Sequence, residues 1–77
     1  MTIEDKIKEI VSNIFKVEKE KLTRDTSFVD DLHMKSINLI EMVAWIDEEF
    51  NLEINIGEVR KKKTLGDLID YVEKLIS

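Results

Sequence analysis

Both ends of the chain carry apolar residues at helical spacing. In "IEDKIKEIVSNIF" they are Ile3, Ile7, Ile10, Val11, Ile14 and Phe15, and in "LGDLIDYVEKLI" they are Leu65, Leu68, Ile69, Val72, Leu75 and Ile76. Steps of three and four residues place such side chains on one stripe of a helix, and that stripe must be covered by another helix or sheet. A sheet is a poor candidate, because strands need turn residues between them and the sequence has no proline and two glycines. At 77 residues with no cysteine, the chain also has no disulfide framework or thiolate metal site to hold it together. Helix packed on helix is therefore the predicted architecture.

Start and stop signals divide the chain. Thr2 with Asp5 resembles a capping box ahead of a first helix over residues 3–16. Residues 17–35 have no sustained period and hold Val17, Leu22, Phe28 and Leu32 as scattered apolar anchors, with "TRDTS" (Thr23 to Ser27) suited to local turns. Such a long connection in a small domain is commonly functional. A second helix is predicted over residues 36–50, with Asn51 as its stop. Asn55 with Glu58 starts a short third helix, to about Lys62, and Thr64 with Asp67 starts the fourth. Neither repeats nor linkers interrupt this order. The expectation is one all-α domain over residues 1–77, a small four-helix bundle of three main helices and one short third helix.

Charge narrows the partners. The formal net charge is −5, yet Asp25 to Glu53 hold eight acids against one base, Lys35, so the negative charge is concentrated around the second helix. Phosphates would be repelled there, which argues against nucleic acid and for a basic protein surface. The start "MTIEDKIKEI" is acidic and lacks a long apolar core, so it does not read as a signal peptide, and no run approaches a membrane span. The expectation is a monomeric cytoplasmic protein without membrane or nucleic-acid partners.

An independent enzyme is not expected. The chain has no nucleophile elbow, phosphate loop or metal-ligand cluster, and "DTSFVDDLHMKS" lacks the glycine and closing glutamate of a calcium loop. His33 is the single histidine, with no second soft ligand to make a metal site. No catalytic residue and no metal are assigned.

The second helix carries more apolar residues than one face uses. Leu39, Met42, Val43, Ile46 and Phe50 fall within one sector, the width of a core-facing stripe. Ile37, Ile40 and Ala44 fall on another, with Glu41 and Glu48 among them and Asp47 at its edge. Two readings follow: the bundle wraps far enough to bury both stripes, or the second is a docking surface with acids set among its apolar residues. Trp45 lies on the flank between the faces, as an edge-packing residue. Ser36 likewise has two readings. It is an N-cap, the common role of a serine at a helix head, or its hydroxyl is a point of covalent attachment, where a phosphate would meet free backbone N–H groups and the positive end of the helix dipole.

The segment "DDLHMKSINLIEMVAWIDEEFNLEI" resembles the acyl carrier protein pattern, in which D-[DE]-L-G-x-D-S-L precedes an acidic helix ending in E-E-F. The likeness extends through the first helix, the long loop, the short third helix and "TLGDLIDYVEKLI". It implies a discrete carrier whose Ser36 bears 4'-phosphopantetheine through a phosphodiester. The thiol of that arm would hold acyl or related intermediates as thioesters and pass them between enzymes of fatty acid, polyketide or related biosynthesis. The implied partners are a phosphopantetheinyl transferase and acyl-transferring or acyl-activating enzymes and synthases with basic docking patches. They would contact Lys35, Ile37, Ile40, Glu41, Ala44, Asp47 and Glu48. An unmodified interaction module that keeps the fold and binds a basic surface through the second helix is the alternative.

The sequence departs from the pattern at Lys35, which replaces an aspartate before the serine and reverses its charge. His33 stands in place of the glycine, so a different loop turn is expected there. "RKKK" (Arg60 to Lys63) is basic where many bacterial fatty-acid carriers have acids.

Overall fold

The computed structural model describes residues 2–77; Met1, the first residue of the expected domain, lies outside them. Four α-helices follow in order: α1 (Ile3–Phe15), α2 (Ser36–Phe50), α3 (Ile56–Arg60) and α4 (Leu65–Ile76), with a single 3₁₀ turn at Lys19–Lys21. The described residues form no strand; one isolated antiparallel bridge joins Ser27 to Thr64. The all-α expectation holds.

Three of the four helices, α1, α3 and α4, begin where the sequence supplies an acceptor. Thr2 Oγ1 accepts from Asp5 N–H at 3.1 Å, Asn55 Oδ1 from Glu58 N–H at 3.0 Å and Thr64 Oγ1 from Asp67 N–H at 3.2 Å. These bonds satisfy N–H groups that a helix leaves unpaired at its start. The Thr2 hydroxyl also holds the Asp5 carboxyl below its ordinary pKa. The ends are sharp as well: Lys16 and Asn51 adopt left-handed backbone (φ 59° and 55°) and return their N–H groups to Ser12 O and Asp47 O. α1 therefore stops at Phe15, one residue earlier than the periodicity suggests. α3 stops at Arg60 rather than Lys62, because the amides of Lys61 and Lys62 reach back to Glu58 O and Val59 O in tighter turns.

α1 packs against α2 and α4, and α2 against α3. The core takes Ile7 and Val11 from α1, Leu39, Met42, Val43 and Ile46 from α2, Val59 from α3, and Leu65, Leu68, Ile69 and Val72 from α4. Leu22 and Phe28 enter it from the long connection and Ile54 from the α2–α3 loop. Phe50, expected on the core stripe of α2, is half-buried against it, whereas Leu75 and Ile76, at the end of the α4 stripe, are exposed.

The connection between α1 and α2 is an ordered layer. Thr26 Oγ1 accepts from Thr23 N–H, Asp31 Oδ2 from Ser27 N–H at 2.7 Å, and Ser27 Oγ from Asp30 N–H. The layer is tied to the start of α4 by Phe28 N–H to Lys63 O, Leu65 N–H to Thr26 O and Gly66 N–H to Arg24 O. At Gly66 the approach is close: a Cβ there would stand 2.9 Å from Arg24 O. The Arg24 guanidinium reaches over α4 to Asp70 at 2.6 Å and to Glu4 of α1 at 3.3 Å.

Candidate functional site

α2 is entered from a loop whose last turn is set by His33. This residue has φ 53°, in the left-handed region that glycine occupies most readily. Histidine is one of the few side chains that tolerate it. His33 thus adopts a conformation that glycine takes readily, despite carrying a side chain. Its N–H bonds Val29 O and the next amide, Met34, bonds Phe28 O at 2.8 Å, closing the turn directly before α2.

The N-cap of α2 is Lys35, with extended backbone, and Ser36 is the first helical residue. This corrects the N-cap reading of Ser36. The serine sits one position too far along to accept from the first-turn amides. The entry is braced instead by Asn38, whose Oδ1 accepts from Lys35 N–H at 2.9 Å. A lysine side chain has no acceptor, so the first-turn N–H groups of α2 have no side-chain cap. Among the described residues the Ser36 hydroxyl enters no side-chain hydrogen bond, and the residue is exposed. The result is an accessible hydroxyl at the positive end of a fifteen-residue helix, with amides free to face an anion.

Beyond Ser36, the two stripes part cleanly. The core stripe is covered, while Ile37 and Ile40 are 63% and 55% exposed. Ala44, Glu41 and Glu48 are exposed with them. The bundle does not wrap round to bury the second stripe, and large aliphatic residues stay in water beside carboxylates. Lys35 is exposed and forms no ion pair among the described residues.

Asp47 differs from the other acids assigned to this surface. It is half-buried, and its Oδ1 accepts from Ile54 N–H at 2.8 Å while its carbonyl oxygen accepts from Asn51 and Leu52. Its carboxylate thus fixes the α2–α3 loop, a role that the sequence signals only by an acid four residues before a left-handed asparagine. Trp45, expected as an edge-packing residue, stands over a groove between α1 and α2 and is 54% exposed.

The geometry defines a class first: a helical domain with an exposed serine at the head of its second helix, flanked by an apolar and acidic face. A family model described as "Phosphopantetheine attachment site" matches residues 5–72. The chain is 38% identical over 69 residues to an acyl carrier protein of Lactobacillus acidophilus, covering 90% of this chain and 86% of that one. It is 39% identical over 70 residues to an acyl carrier protein of Buchnera aphidicola, covering 91% and 89%. It superposes on a solved acyl carrier protein from Enterococcus faecalis with a TM-score of 0.78 at 32% identity, over 94% of this chain and 91% of that one. The chain belongs to the acyl carrier protein family.

The cofactor implied by this membership is covalently attached 4'-phosphopantetheine. The residues fit such a group: an exposed serine hydroxyl is available to form the phosphodiester, and uncapped N–H groups of the first turn are available to its negative charge.

Proposed function

We propose that this protein is a discrete carrier, acting as a single domain over residues 1–77, whose Ser36 receives the 4'-phosphopantetheine arm. When attached, the arm supplies a terminal thiol that carries acyl or related cargo as a thioester. The protein's own residues do the rest. Ser36 fixes the point of attachment, the first turn of α2 accommodates the phosphodiester charge, and the surface beside it is presented to successive enzymes. The observation that carries this reading is the free, exposed hydroxyl of Ser36 within a chain matched by the attachment-site family.

Docking is assigned to Lys35, Ile37, Ile40, Glu41, Ala44 and Glu48, with Asp47 contributing charge at the edge while it holds the loop. The partners are a phosphopantetheinyl transferase and the acyl-activating and acyl-transferring enzymes or synthases of fatty acid, polyketide or related biosynthesis. Basic patches on those enzymes suit the acidic stripe, and steering by charge suits a carrier that must bind briefly and often. The carrier performs no chemistry itself and works as a monomer in the cytoplasm.

The test is incubation with a phosphopantetheinyl transferase and coenzyme A, followed by intact mass. One added arm in the wild type and none in Ser36→Ala is the expected result. Failure with several transferases that load an acyl carrier protein in parallel would overturn it.

Lys35 favours a second reading, an unmodified interaction module, because its ammonium stands beside Ser36 where the family pattern has an acid. Partner binding and cellular activity that are unchanged in Ser36→Ala would support the module over the carrier.

A further inference from the structure

We propose that the groove between α1 and α2, lined by Trp45 and Glu41, docks an arginine-bearing segment of a partner protein. Its guanidinium would stack on the Trp45 indole beside Glu41, with an aliphatic neighbour seated on Ile10 and Ile14. The first observation is the groove itself, a cavity of about 340 Å³ lined by Ile10, Asn13, Ile14, Lys16, Glu41 and Trp45. A second hollow of about 400 Å³ continues along the same seam past Trp45 to Glu9, Lys6 and Glu49. Trp45, with Ile10 and Asn13, lines both, and its indole is more than half exposed.

The second observation is the order of side chains along α2. Glu41, Trp45 and Glu49 are spaced four apart, so they form one row of carboxylate, indole and carboxylate. Glu49 is already paired with Lys6 of α1 at 2.9 Å. Glu41 is exposed and enters no ion pair among the described residues. A planar cation placed between the indole face and Glu41 gains a cation–π contact and a carboxylate together. Lysine offers no plane to stack, and a neutral side chain offers Glu41 nothing. The half-buried Ile10 and Ile14 then account for the apolar floor. Lys16 lines the same hollow as Glu41, and its charge limits that hollow to a single guanidinium held between the indole and Glu41.

Glu41 also belongs to the stripe assigned to docking, so the groove is continuous with that surface. It extends the footprint from α2 onto α1 and asks for a specific cation from the partner. The inference deepens the carrier reading by naming partner chemistry, yet neither Ser36 nor the arm takes part in it.

Trp45 is the only tryptophan in the chain, so its emission reports the groove directly. The probes are acetylated, amidated peptides with arginine and leucine one helical turn apart in an alanine–glutamine host, and versions with citrulline or lysine in place of arginine. In a fluorescence titration at low salt the arginine peptide should give a saturable change, with Kd about tenfold tighter than the citrulline peptide. The lysine peptide should fall between them. Glu41→Gln should weaken the arginine peptide about fivefold, and Ser36→Ala should leave it unchanged. Amide shifts in the ¹⁵N spectrum should centre on Ile10, Asn13, Ile14 and Trp45. Equal binding of arginine and citrulline would mean an apolar occupant and overturn the proposal. So would shifts mapping elsewhere, or no binding of the arginine peptide up to about 10 mM. The loading assay at Ser36 stands or falls separately.

Discussion

His33 occupies the left-handed region (φ 53°) at the turn into α2, where the family pattern has glycine. The substitution costs the turn little because histidine tolerates that region, whereas a β-branched residue would not. His33→Val should lower stability by about 1–2 kcal/mol, and His33→Gly should stay within about 1 kcal/mol of wild type. Urea unfolding measures both, and a valine variant as stable as wild type would contradict the strained turn. Asp47 and Glu48 are adjacent acids with different roles. Asp47→Ala removes a charged acceptor from the amide of the buried Ile54 and should cost about 1–3 kcal/mol. Glu48→Ala, at an exposed position, should stay within about 0.5 kcal/mol. At the other end of the chain, the Thr2 hydroxyl holds Asp5 below its ordinary pKa. A lowered folded-state pKa means that this contribution is present above the unfolded value and is lost as pH falls through the folded one. Thr2→Ala should raise the Asp5 pKa towards the ordinary value, as read by carboxyl ¹³C titration.

α2 shows how much of an element is legible before folding. Its bounds, its left-handed stop at Asn51 and its core stripe follow from spacing and side-chain type, since a stripe of about 100° is what one packed face covers. The fate of the other stripe was not legible. Ile37 and Ile40 have the same period whether a neighbour covers them or not, and only the position of the other helices leaves them in water. The two stripes should respond differently to truncation. Ile46→Ala, in the core, should cost about 2–5 kcal/mol in denaturant unfolding. Ile40→Ala should change stability by no more than about 0.5 kcal/mol yet slow loading at Ser36. Loss of stability without loss of loading in the Ile40 variant would place that side chain in packing rather than docking. At the head of α2, sequence left Ser36 either a cap or an attachment point, and the structure removes the first: Asn38 braces the entry and the cap position falls to Lys35.

Across the whole molecule, the long connection is held as a layer by backbone bonds to the start of α4 and by Arg24 bridging α1 and α4. Gly66 decides how closely the layer can sit. Helix propensity alone favours Gly66→Ala by about 1 kcal/mol, but the new Cβ would meet Arg24 O at 2.9 Å, and backbone has little room to yield. We expect a net loss of about 1–3 kcal/mol, measured by thermal or urea unfolding. Charge is also a property of the whole. With acids concentrated around α2 and Lys35 beside the serine, Lys35→Asp should speed loading by a transferase with a basic docking patch and steepen its decline with salt. No change in either would remove Lys35 from the docking surface. The sequence by itself determined the helices, the caps of α1, α3 and α4, most of the core and the family, because these depend on side-chain type and on spacing along one chain. The tertiary structure alone decided which apolar residues stay exposed, that Asp47 braces a loop, that His33 turns as glycine would, and that Trp45 faces a groove between α1 and α2. Each of these depends on where a second segment lies, and no local period encodes that.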